Sequence, residues 1–147
     1  MRNAIFSILL LASLAGCATT SKPGGYGSYA AVGPAGETAV VQDVVKRLVV
    51  AYPPARTRLN MRHPATDSFG TALVASMRAK GYALDEHKPA PAATAASRGF
   101  AFAYAFDRLA GTDLYSVTLY VDNDVLSRVY ESKDGALAPA GYWARKE

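Results

Sequence analysis

The sequence predicts an α+β domain: two helices packed on a small mixed, largely antiparallel sheet of about five strands. Two observations carry this expectation. In the first half of the chain, apolar residues twice recur at helical spacing. In the second half, apolar and small or polar residues alternate between short turn sequences, the pattern of hairpin-linked strands.

The first helix is expected to begin near Glu37. Val41, Val44, Val45, Leu48, Val49 and Tyr52 share one side, with Gln42, Asp43, Lys46 and Arg47 on the other. Glu37 in the first turn suits the helix dipole, and Pro53-Pro54 ends the element. So many β-branched valines weaken intrinsic propensity, so this helix depends on packing. Arg56 to Arg62 then alternates as a short half-buried strand, with Thr57, Leu59 and Met61 on one face. Thr66 or Asp67 can cap a second helix that carries Phe69, Leu73, Ser76 and Met77 along one side. Lys80 and Gly81 close it, a cation in the last turn followed by a residue free to take positive φ. Tyr82-Ala83-Leu84 starts the next strand.

Residues 88–97 (KPAPAATAAS) form a loop without periodicity. Phe100, Phe102, Tyr104 and Phe106 then alternate with Ala101, Ala103 and Ala105. Such an aromatic row could line a ligand site, but the simpler account is the core face of the sheet beneath the helices. Leu114 to Val121 is a further strand, Asp122-Asn123-Asp124 a turn, and Val125 to Glu131 the antiparallel return. Lys133-Asp134-Gly135 turns the chain again ahead of the tail GALAPAGYWARKE.

Ahead of this domain lies a different kind of sequence. Arg2 supplies the positive charge of a secretory n-region, and Ile5 to Leu14 form its apolar core. Roughly ten apolar residues are too few to cross a hydrocarbon layer that needs about twenty. Leu14-Ala15-Gly16-Cys17 follows and resembles the bacterial lipobox, in which small residues fit a narrow peptidase site and the thiol takes the lipid. The alternative is an ordinary secretory signal, or a short signal anchor, with a chance cysteine. The expected organisation is a signal peptide over 1–16 with cleavage between Gly16 and Cys17, a lipidated Cys17 with a Gly/Pro/Ser-rich tether over 17–36, and a single domain over 37–147. Tyr26 and Tyr29 interrupt the tether and could be either docked or solvated. Ala18 after the cysteine, rather than Asp, favours the outer membrane, with the domain facing the periplasm.

Cys17 is the only cysteine, so disulfides within the chain are excluded and lipidation would consume the thiol. Loss of Arg2 with the signal lowers the formal net charge from +4 to +3, too mild and unclustered for a nucleic-acid footprint. His63 and His87 lack the spacing of a metal pair, and no nucleophile motif or phosphate loop is present. Asp85 and Glu86, adjacent in a strand, point to opposite faces. These features predict neither catalytic nor metal residues, no cofactor, and a protein that works by binding. Tyr142, Trp143 and Arg145 combine the residue types favoured at interface hot spots, although the two aromatics could instead cover the domain's own core.

The stretches YPPARTRLNMRHPATDSFGTALVASMRAKGYAL, DLYSVTLYVDNDVLSRVY and GALAPAGYWARKE, in this order behind a lipobox, resemble the conjugal transfer lipoprotein family TrbH over about residues 41–147. The resemblance implies a structural part in a mating-pair formation apparatus, a type IV secretion system, beside larger channel subunits and within an oligomeric ring. It also implies a fold similar to the secretin N-terminal domain, and it supplies no catalytic residues to carry over. Two other readings stay open: a secretin-associated or other cell-envelope assembly lipoprotein outside conjugation, and a periplasmic small-ligand binder or enzyme.

Overall fold

The structure is a computed structural model that describes residues 25–87 and 98–147. The expected signal peptide with Gly16 and Cys17, the expected tether up to residue 24 and the whole Pro/Ala loop lie outside the described residues. The elements run β1 (Gly27–Ser28), α1 (Pro34–Ala51), β2 (Arg58–Met61), α2 (Ser68–Ala79), β3 (Ala83–Asp85), β4 (Phe100–Arg108), β5 (Leu114–Val121), β6 (Asp124–Lys133), β7 (Ala136–Pro139) and β8 (Ala144–Lys146). The architecture is α+β, as expected. It comprises two helices on a mixed and mostly antiparallel sheet.

Among the described residues the sheet has eight strands rather than about five, in the order β3-β2-β4-β5-β6-β7, with β1 beside β4 and β8 beside β6. β4, β5 and β6 form an antiparallel meander. β2 is parallel to both β3 and β4, and α2 carries the chain back across the sheet between β2 and β3 so that those two strands run parallel. Both long flanking strands share an outer edge between two short ones. On β4, β2 covers residues 100–102 and β1 covers 105–106. On β6, β8 covers 125–127 and β7 covers 130–133.

One face of the sheet is buried under the helices. The aromatic row of β4 lies in register with the aliphatic row of β5: Phe102 opposite Val121, Tyr104 opposite Leu119, Phe106 opposite Val117. Val40, Val41, Val44, Val45 and Leu48 of α1 close over this surface, with Phe69, Leu73 and Met77 of α2. Phe100 departs from the expected row. It is 39% exposed and meets the ring of Tyr52 at the sheet end.

α1 begins at Pro34, three residues ahead of Glu37, with the chain ahead of it paired to the sheet as β1. Pro34 opens the helix because its missing N–H costs nothing in the first turn and its fixed φ is already helical. α2 starts at an Asp67 cap, whose carboxylate accepts the Gly70 N–H at 2.7 Å. Gly81 follows its last turn at φ +88°. No helix among the described residues is long and apolar enough to cross a membrane.

Candidate functional site

Arg128 ties the C-terminal segment to α1. β6 turns Leu126, Arg128 and Tyr130 toward the helices, and Arg128 Nη1 donates to both oxygens of Asp43 on α1 at 2.9 Å. Tyr130 Oη donates to the same carboxylate at 2.7 Å. Burial, then the Asp43 charge, pushes the Tyr130 hydroxyl well above its ordinary pKa, so it remains a donor. The rest of the guanidinium serves the tail. Arg128 Nε donates to the Gly141 carbonyl at 2.8 Å, and its plane lies 6.0 Å from the Trp143 ring.

The three residues expected at an interface therefore have different surroundings. Trp143 is half-buried against the core, above Arg128. Arg145 donates to Asp124 at 2.8 Å, and Tyr52 Oη donates to that same carboxylate. Burial, with Asp124 second, pushes the Tyr52 hydroxyl up to about 12. Tyr142 alone is fully presented, 97% exposed between two anchored neighbours. A cleft of about 220 Å³ separates this segment from α1, lined by Asp43, Lys46, Arg47, Val50, Arg128 and Trp143. Gly16 and Cys17 lie outside the described residues.

A second cluster forms around the start of α2 and was not legible from the sequence. Asp67 caps the helix with one oxygen and accepts Tyr104 Oη with the other at 2.6 Å. Gly70 makes this approach possible, since a Cβ there would stand 1.8 Å from the Tyr104 hydroxyl. His63 sits where β2 ends and β1 has not yet begun along β4, its Nε2 3.5 Å from the Tyr104 N–H. Its Nδ1 lies 3.1 Å from the Pro64 carbonyl. A neutral ring with the proton on Nδ1 satisfies both contacts. Desolvation lowers the His63 pKa below 6.5, with the Pro64 carbonyl and Asp67 opposing and His87 assisting. Tyr26 stacks on His63 at 5.4 Å and meets Tyr120 edge-on at 5.4 Å, so this tether residue is docked.

Asp85 and Glu86, and the turn residue Asp122, have structural partners. Asp85 receives Arg58, and Glu86 receives Arg78. Asp122 continues the β4 ladder by accepting the Ala101 N–H at 2.6 Å. Among the described residues no group of three or more His, Cys, Asp or Glu side chains could hold a metal ion.

Comparison with known proteins gives one match, to the family model of the conjugal transfer protein TrbH, over residues 19–147. No curated protein and no solved structure matches the chain, so a likeness to the secretin N-terminal domain gains no support. The matched span takes in both helices, all eight strands and the clusters at Arg128 and His63. The chain belongs to the TrbH family of conjugal transfer proteins.

Proposed function

We propose that the protein is a lipid-anchored assembly subunit of a mating-pair formation apparatus, held on the periplasmic side of the outer membrane and acting through protein–protein contacts. The observation that carries this reading is a juxtaposition. A lipobox-like Leu14-Ala15-Gly16-Cys17 ends just ahead of the family match at residues 19–147. Two or three acyl chains on one cysteine suffice for firm attachment, whereas one would not. Beyond the anchor, the domain offers a contact edge in which Arg128 and the core position Trp143 and leave Tyr142 in solvent. Aromatic residues held rigid beside arginines are suited to binding a subunit at small entropic cost.

The test is Cys17→Ser. Membrane fractionation of the variant is expected to show the chain released from the membrane, and plasmid transfer is expected to fall by more than an order of magnitude. Normal attachment would refute the anchor, and normal transfer with the anchor lost would refute its importance.

A further inference from the structure

Beside the C-terminal cleft, α1 and α2 enclose a shallow groove of about 450 Å³ facing away from the sheet. Val45, Val49 and Val50 line it from α1, and Ala79 from α2, with Lys46 and Lys80 on its rim. Val50 is 71% exposed, an apolar side chain with no cover in the domain. We propose that this groove docks an acidic amphipathic helix of another subunit of the transfer apparatus, an inference that rests on reading the chain as an assembly subunit.

Charge selects the occupant. Lys46, Arg47 and Lys80 take part in no ion pair among the described residues. The nearby carboxylate of Asp43 is already occupied by Arg128 and Tyr130. Arg47 Nε is buried and finds no hydrogen-bond partner among the described residues, and its side chain lines the adjoining cleft with Lys46 and Val50. The occupant therefore carries apolar residues for the floor and carboxylates for Lys46 and Lys80.

Shape selects a helix. Both walls are helices whose backbone groups bond internally, so the groove presents no strand edge for β-addition. A third helix can lay its ridge of side chains in the trough between two others. Val45, on the floor, is 2% exposed, too recessed for the flat surface of a bilayer to reach.

The experiment places a photo-reactive residue at Val50 in the full-length chain, in mating cells that carry the whole apparatus, and sequences the cross-linked peptide. The expected adduct is a segment of another protein with apolar residues at helical spacing and flanking carboxylates. Lys46→Glu combined with Lys80→Glu should cut its yield about tenfold, and replacing two of the segment's carboxylates by Lys should restore it. An adduct to phospholipid, to a second copy of the chain, or to a peptide without that pattern would overturn the proposal. So would no adduct, or a yield indifferent to charge reversal. Fractionation of Cys17→Ser in the same cells keeps the two readings apart. Lost anchoring without the expected adduct in the wild-type chain overturns the groove alone, and normal anchoring with it overturns the anchor alone.

Discussion

β4 and β6 face the same structural problem and solve it differently. Each is a long strand whose outer edge is shared by two short strands, leaving a gap between them. On β4 the gap is filled by an imidazole, with His63 Nε2 facing the Tyr104 N–H. On β6 it is filled by backbone, with the Ala140 N–H donating to the Val129 carbonyl at 2.9 Å, and by Arg128 reaching Gly141. An imidazole changes charge near neutral pH and a guanidinium does not. The N-terminal splice is therefore responsive to pH, whereas the C-terminal splice is held by a permanent charge.

The strongest way to break the C-terminal side is Asp43→Ala. It strands Arg128 and the Tyr130 hydroxyl together in a site where the paired side chains are only 18% and 22% exposed. A loss of about 3 kcal/mol is expected in urea unfolding, largely recovered when Arg128→Met accompanies it. Asp67→Ala attacks the other cluster. It removes the cap on Gly70, worth about 1 kcal/mol, and orphans the Tyr104 hydroxyl, for a total of about 2 kcal/mol. Tyr104→Phe, which leaves the cap intact, should cost about half as much in the same assay.

Lowering the pH tests the contrast directly. The His63 pKa is lower in the folded protein than in the unfolded chain, so the unfolded state binds the proton more readily. The contribution of neutral His63 is complete above pH 6.5 and is lost as pH falls from there through the folded-state pKa. The protection of the Tyr104 amide relative to its intrinsic exchange rate should fall over that range, while the protection of the Ala140 amide should not change, and His63→Phe should abolish the difference. The smallest effect belongs to Tyr142→Ala, expected to change the unfolding free energy by less than about 0.5 kcal/mol because the side chain is 97% exposed. A larger loss would place Tyr142 among the structural residues of the C-terminal splice.

The same contrast explains what the sequence could reveal. Pro53-Pro54 ended α1 and Asp67 capped α2 because local chemistry decides both. The alternation of β4 to β6 was legible because one face of each strand is buried. β1, β7 and β8 were not foreseen. β1 spans only Gly27–Ser28, too short to express a period, and GALAPAGYWARKE lies along a sheet edge where alternation is not enforced. The start of α1 had its signal in Pro34, hidden within a run rich in glycine and proline. His63 was weighed only for metal spacing, since nothing local marks a side chain that completes a ladder 41 positions away. Residue type singled out Tyr142, Trp143 and Arg145 as interface candidates, but only the folded contacts show that Trp143 and Arg145 are anchored.

The attachment of β1 to β4 also has a mechanical consequence. Tension applied to the chain ahead of Gly25 arrives first at β1, which is joined to the sheet over Gly27 and Ser28 and by the Tyr29 N–H to Phe106. With two paired residues against the seven of the β4–β5 ladder, that short pairing is expected to yield first. Peeling it away to the start of α1 releases about nine residues, or roughly 30 Å of extended chain. β1 is thus expected to behave as a sacrificial fastening, lengthening the chain ahead of α1 under strain while the core stays closed.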